Sequence, residues 1–291
     1  MADRFEHIGV VGSGLMGSGI TEVCARAGLD VTVVEVDAAA AERGRSRIEG
    51  SLATAVRRGK LAEEDAEAAL ARVAYETDLS AMAERDLVIE AITEDERVKV
   101  ATFRELDRVV KSDNAVFASN TSSIPIMKLA TVTNRPEQVV GLHFFNPVPV
   151  LRLVELVTSL MTSAATVESA TSFATETLDK RVIRSQDRAG FIVNALLIPY
   201  LLSAIRMLES GFATRDDIDA GMIEGCAHPM GPLALSDLIG LDTMKAVAES
   251  LYEEFKEQLY APPPLLLRMV EAGLLGRKTG RGFYEYAPRA A

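Results

Sequence analysis

Cysteine is scarce in this sequence. Cys24 and Cys226 are the only two, with no CxxC spacing. That excludes a disulfide framework and a cysteine zinc site, no metal is expected, and a reducing, cytoplasmic setting fits. Positive charge is also in short supply: 31 Lys and Arg stand against 42 Asp and Glu, giving −11. A nucleic-acid partner is therefore not expected, and an anionic substrate would need a local basic patch to overcome the global field. A long uninterrupted apolar run is missing as well. The longest, Gly190–Leu208, contains Asn194, Pro199, Tyr200, Ser203 and Arg206. It reads as a buried helix of a core or subunit interface, and no membrane span is expected. The opening residues, Met1-Ala2-Asp3-Arg4-Phe5-Glu6, have no apolar h-region, so no signal peptide is expected.

What the chain does have is length and apolar content. Its 291 residues, 48% hydrophobic, suffice for two domains with sizeable cores. His7–Val11 and Val31–Val36 read as buried strands, the second a near-continuous β-branched run, with Leu15–Ala27 a helix between them. Residues 39–72 carry two Ala-rich, charged helical patterns that meet near Arg58-Gly59-Lys60. The pair is longer than an ordinary crossover and is expected to form a helical hairpin projecting from the sheet. Leu87–Ile92, Ala115–Ser119, Val139–Phe144 and Leu153–Thr158 read as further strands, with helices over 94–111 and 166–180. This alternation predicts an open, doubly wound α/β sheet. After about residue 186 the pattern turns wholly helical, over 188–210, 214–226, 233–239, 242–259 and 263–273. The expected organisation is a Rossmann-type domain over 1–186, with the hairpin inserted, and an all-α substrate and dimerisation domain over 187–291.

Gly12-Ser13-Gly14-Leu15-Met16-Gly17 follows the first strand and opens the first helix, the context in which GxGxxG signals a dinucleotide. The first glycine permits the turn, the second lets a pyrophosphate approach the backbone, and the third lets helix and strand pack closely. Glu35 ends the second strand, 18 residues after Gly17, where a carboxylate can bind ribose hydroxyls. Val36 and Asp37 follow, and the next basic residue is Arg43. A 2′-phosphate would meet negative charge there, so NAD is expected over NADP. A glycine-rich turn without a ligand is the bland alternative.

Three histidines are available as acid/base groups: His7, His143 and His228. His7 begins a strand, and His228 precedes Pro229 in a helix-breaking turn; both read as structural. His143 instead stands near the carboxyl end of a strand, the side on which doubly wound sheets bind ligands. Twelve residues on, Glu155 interrupts the apolar run Leu153-Val154-Glu155-Leu156-Val157. A carboxylate buried there needs a partner. Pairing with His143 would supply it, fixing the imidazole tautomer and stabilising the imidazolium.

These features, with an ordered set of further segments, resemble the L-3-hydroxyacyl-CoA dehydrogenase family, most nearly its 3-hydroxybutyryl-CoA branch. The segments are Gly12–Gly19, Val88-Ile89-Glu90-Ala91, Ala118–Ser123, Gly141–Pro149, Gly190–Asn194, Pro229–Pro232, Gly240–Thr243 and Lys278-Thr279-Gly280. The resemblance implies His143 as catalytic acid/base, Glu155 as its partner, and Ser122 and Asn194 as contacts at the reacting carbon. It implies that Glu35, Glu94, Lys99, Ser122, Asn146 and Lys278 help hold NAD, and that Ser51 with Arg58 or Lys60 touches the CoA. Apart from the resemblance, the apolar helices of the second domain suggest a homodimer formed through it. One departure is Arg188-Ala189 before Gly190-Phe191, where the family usually has Thr-Pro.

Read without the family, several of these residues have plainer roles. Ser122 could close a turn, and Asn194 could satisfy buried hydrogen bonds. Glu94 and Lys99 could be charges on a solvated helix start, and Lys278 an exposed charge in a Gly-rich turn. The implied reaction is reversible oxidation of (S)-3-hydroxyacyl-CoA to 3-oxoacyl-CoA. Alternatives are a dehydrogenase of a sugar acid such as gulonate, or a dinucleotide-binding protein without catalysis.

Overall fold

A computed structural model describes residues 5–287; the signal-peptide expectation falls mostly on residues 1–4, outside the described residues. The backbone separates at Arg188/Ala189 into two compact units.

The first unit holds one eight-stranded sheet. Its strands are β1 (His7–Val11), β2 (Asp30–Val34), β3 (Val73–Glu76), β4 (Leu87–Glu90), β5 (Val116–Ser119), β6 (Val139–Phe144), β7 (Leu153–Thr158) and β8 (Arg181–Gln186). The order across the sheet is β3-β2-β1-β4-β5-β6-β7-β8. From β3 to β6 all neighbours are parallel; β7 runs antiparallel to β6, and β8 parallel to β7. The direction of winding reverses between β1 and β4, so the carboxyl ends of these strands border the crevice in which such sheets take ligands. The inner strands are apolar runs because both their faces are covered. The outermost strands, β3 and β8, carry Glu76, Arg181 and Arg184 and hold only exposed and half-buried residues, which blunts the sheet edges. Neither edge strand is foreseen by the apolar pattern.

The helices of this unit are α1 (Leu15–Arg26), α2 (Ala38–Arg57), α3 (Glu63–Ala71), α4 (Glu96–Val109), α5 (Ile126–Ala130) and α6 (Ala164–Ser172), which continues as a π turn over Phe173–Thr177. Helices α2 and α3 form the expected hairpin, with Gly59 at φ +63° in the bend. Its body does not project. Ile48, Leu52, Ala66 and Ala69 join α1 and the β1–β2 strands in one core cluster, because both helices have an apolar stripe that water would otherwise solvate. The bend at 57–60 stands exposed, as does the start of α3 over 62–65. The second strand also ends two residues early, at Val34, so Glu35 opens the following loop instead of ending the strand.

The second unit is all helix: α7 (Val193–Glu209), α8 (Arg215–Cys226), α9 (Pro232–Ile239), α10 (Leu241–Phe255) and α11 (Pro264–Glu271). The apolar faces of α7, α9, α10 and α11 meet around Leu201, Leu202, Ile205, Leu233, Met244, Leu251 and Leu266. Pro232 opens α9, and the buried Asp219 accepts the backbone N–H groups of Leu233 and Ala234, the orphan donors of that helix end. Among the described residues no helix is long and apolar enough to cross a membrane.

Candidate active site

The alternation of β6 decides where His143 points. Val140, Leu142 and Phe144 belong to the core shared with α1, so Gly141 and His143 face the other side of the sheet. There Ile126 of α5 packs so closely that a Cβ on Gly141 would stand 3.0 Å from Ile126 Cδ1. On β7 the same alternation gives Val154 and Leu156 to the core and turns Glu155 toward β6. The antiparallel register sets His143 directly opposite Glu155, with Nδ1 2.8 Å from Oε2. Glu155 is fully buried and His143 only 7% exposed. The ring of Phe145 lies 4.6 Å from the imidazole, and Asn120 Oδ1 accepts the Phe144 N–H at 2.9 Å, fixing the end of the strand.

Two strands away, a buried charge network closes the carboxyl ends of β4 and β5. Glu90, fully buried, accepts from Lys99 Nζ at 2.5 Å, from the Ile92 N–H at 2.8 Å and from Ser119 Oγ at 2.6 Å. Lys99, 1% exposed, also reaches Glu94 Oε2 at 3.2 Å. Glu94 Oε1 in turn gathers the turn after β5, accepting from Thr121 Oγ1 at 2.6 Å and from the Ser122 and Ser123 N–H groups at 2.8 and 3.1 Å. Burial raises the Glu94 pKa, but the charge of Lys99 and the hydrogen bonds from Thr121, Ser122 and Lys99 outweigh it and leave the carboxyl below its usual range. Lys99 is thus an internal counter-ion, quite unlike a solvated helix-start charge. Glu90 escaped the sequence reading of site residues. The signal was present, since a carboxylate ending the apolar run Leu87-Val88-Ile89 poses the same question as Glu155.

At the end of β1 the glycine loop has the geometry a dinucleotide requires. Gly12 adopts φ +93°, and a Cβ there would press on Ala91 O at 2.8 Å. A Cβ on Gly17 would overlap the carbonyl oxygen of Gly12, so only glycine lets α1 start this close to the strand. Around Gly14 nothing lies within 4 Å of a Cβ, and no side chain caps the N-terminus of α1. Open space before uncapped helix N–H groups suits a pyrophosphate. Leu15 and Met16 begin α1 beside it. Glu35 flanks the loop, accepting from the Ser13 N–H at 2.5 Å, from Ser13 Oγ at 3.0 Å and from the Val36 N–H at 3.1 Å. These residues fit a bound NAD.

Comparisons with known proteins identify the family. Residues 7–188 match the family model described as the 3-hydroxyacyl-CoA dehydrogenase NAD-binding domain, and residues 190–286 match that of the C-terminal domain. The chain belongs to the 3-hydroxyacyl-CoA dehydrogenase family. It is similar to a Mycobacterium tuberculosis protein named 3-hydroxybutyryl-CoA dehydrogenase, 59% identical over 98% of this chain and 100% of the relative. A crystal structure from M. tuberculosis, also 59% identical, superposes with a TM-score of 0.97 over 98% of this chain and 100% of that one. The (S)-3-hydroxybutyryl-CoA dehydrogenase of Ralstonia eutropha, 45% identical, gives 0.92 over 98% and 100%.

The other residues implicated by resemblance to 3-hydroxyacyl-CoA dehydrogenases are placed as follows. Asn146 is exposed just beyond β6, and a cis peptide bond joins it to Pro147. Ser51 lies half-buried on α2, and Arg58 and Lys60 stand exposed in the hairpin bend, with no carboxylate partner among the described residues. Asn194, half-buried, is the second residue of α7 in the second unit. Lys278, in the same unit, is engaged by both carboxylate oxygens of Asp242 at 2.5 and 2.6 Å. The remaining histidines hold plain positions: His7 is exposed, and His228 Nδ1 lies 3.2 Å from Tyr200 Oη.

Proposed function

We propose that the protein catalyses the reversible, NAD-dependent oxidation of (S)-3-hydroxyacyl-CoA to 3-oxoacyl-CoA, with 3-hydroxybutyryl-CoA as its short-chain substrate. The observation that carries this reading is the buried His143–Glu155 pair at the carboxyl side of the sheet. Relatives named 3-hydroxybutyryl-CoA dehydrogenase, 45–59% identical, support the substrate.

NAD, when bound, supplies the hydride acceptor for the carbon that bears the hydroxyl. His143 takes the hydroxyl proton at Nε2, since Nδ1 faces Glu155, and Glu155 stabilises the imidazolium that results. In the reducing direction the imidazolium returns that proton to the forming alkoxide. The Ser122 hydroxyl, held in its turn by Glu94, donates to the same oxygen and stabilises its charge. Asn194 and Lys278 keep the substrate and cofactor roles implied by the resemblance. Arg58 and Lys60 attract the nucleotide end of CoA, whose phosphates a sugar acid lacks. We read the N-terminal unit as the cofactor domain and the C-terminal unit as the substrate and dimerisation domain of a cytoplasmic homodimer. Exposed Leu196 and Phe212 on the second unit support association.

The test is to follow NADH oxidation spectroscopically with acetoacetyl-CoA, and with gulonate and NAD in parallel. Turnover of the thioester alone is expected. Turnover of neither, by a folded protein that binds NADH, would leave a non-catalytic dinucleotide-binding protein.

A further inference from the structure

We infer that Glu90 is a positioning residue for the reaction, acting through Lys99 and Glu94 on the turn that carries Ser122. The inference rests on the role just given to Ser122.

The chain of contacts is short and buried throughout its first half. Glu90 ends β4, and its two oxygens divide their work: Oε1 takes the Lys99 ammonium and the Ile92 N–H, while Oε2 takes Ser119 Oγ at the end of β5. Lys99 is anchored from α4, whose first turn is capped by Asp95. Its ammonium therefore stands between two carboxylates, Glu90 at 2.5 Å and Glu94 at 3.2 Å. Stability alone gives little reason for such an arrangement, because well-packed apolar residues usually serve a core as well or better than a buried ion pair. It does something an apolar core cannot. The shorter contact holds the cation back, so that Glu94 meets it from one side with Oε2 and spends Oε1 on the turn.

Five donors converge on Glu94 Oε1: Thr121 Oγ1, the Ser122 and Ser123 N–H groups, Ser123 Oγ at 3.0 Å and Ser122 Oγ at 3.3 Å. One carboxylate oxygen has too few lone pairs to satisfy five donors. The Ser122 hydroxyl makes the longest of these contacts and is the donor most easily given up to a substrate oxygen. Removing the charge of Glu90 would let Lys99 swing wholly to Glu94, drag its carboxylate off the turn and displace Ser122. A misplacement of about 1 Å can cost on the order of 10²-fold in rate.

The experiment is a double-mutant cycle between Glu90→Gln and Ser122→Ala, read as kcat/KM for acetoacetyl-CoA at saturating NADH. Each single change is expected to lower kcat/KM by about 10- to 100-fold, and the double variant to be little worse than the poorer single, because Ser122 is already misplaced when Glu90 is neutral. Multiplying effects overturn the inference, since they mark Glu90 as a structural carboxylate only. An unaffected Glu90→Gln enzyme overturns it too, and leaves the Ser122 role standing. A silent Ser122→Ala variant overturns that role first, and the inference with it. Should Glu90→Gln strand the buried ammonium and fail to fold, Glu90→Asp, which keeps the charge but draws it back from Lys99, enters the same cycle, with the same non-additivity expected.

Discussion

His143 and Glu155 sit directly across from one another where β6 meets β7, the one antiparallel step among the described strands of the sheet. Opposed residues of this kind share one face of the sheet, so side-chain contact follows from the register rather than from a loop that must be held in place. The imidazole is thereby oriented by rigid backbone on both sides.

Replacing His143 with Gln is expected to lower kcat by about 10²–10⁴-fold while NAD binding stays near normal. The glutamine keeps a polar group toward Glu155 but cannot accept and release the proton. Steady-state turnover beside a calorimetric NAD titration checks both halves, and near-normal turnover would sink the mechanism.

Glu155→Gln should keep the fold, because an amide of the same shape can still hydrogen-bond to the imidazole. Its kcat should fall by about 10²-fold. Loss of the counter-charge destabilises the imidazolium, so the acid limb of the pH–rate profile for oxidation should move to lower pH. A profile that does not move would make Glu155 a purely structural carboxylate.

The position of Glu35 beside Ser13 predicts strong preference for NAD over NADP. A 2′-phosphate would approach a carboxylate already in contact with the loop amide. Glu35→Gln should narrow the NAD:NADP ratio of kcat/KM by about tenfold, mainly through the NADP term. Equal kcat/KM for the two cofactors in the wild type would refute this.

Neutralising Arg58 and Lys60 together should raise KM for acetoacetyl-CoA and flatten its salt dependence, with kcat largely kept. The chain carries −11, and the exposed cations of the hairpin bend reverse that field locally. Attractions of this kind are screened over about 8 Å at physiological salt. A truncated thioester without the nucleotide should barely notice the change. If both substrates lose kcat equally, the cluster is no more than a helix end whose cations complement the dipole.

Glu94 gives stability a pH dependence of definite sign. Its folded-state pKa is depressed, so its ionised form stabilises the fold fully above the ordinary carboxylate range, and that contribution is lost as pH falls through the depressed value. The stability advantage of wild type over Glu94→Gln should therefore shrink as the medium is acidified from neutrality. Urea unfolding of both proteins at stepped pH measures it, and a difference independent of pH would contradict the assignment.

Much of the sheet could be read from the chain because its inner strands are covered on both faces and must be apolar. The same logic hides the edges. Val73–Glu76 and Arg181–Gln186 carry charge because they close the sheet, and so give no apolar signal. The hairpin was legible as two helices, whereas its seat on α1 depended on Ile48 and Leu52 finding tertiary partners that periodicity does not name. His143 and Glu155 could be paired in advance because a lone carboxylate in an apolar strand calls for a partner. Lys99 could not, since a lysine at a helix start looks the same whether solvated or buried until its neighbours are known. Glu90 was open to the reasoning applied to Glu155 and was missed only as a site residue.

The reversal of β7 has a consequence for how the molecule is made. A slip of one residue along β6 would send Glu155 to the face now filled by Val154 and Leu156, and would bring an apolar side chain opposite His143. A chain with β7 misregistered could still build the β1–β6 layer and its glycine loop, yet its imidazole would have no carboxylate beside it. Partly assembled molecules are then silent toward thioesters even where they can hold a nucleotide. During refolding, recovery of turnover should lag recovery of NADH binding, and the length of that lag clocks the docking of a single strand.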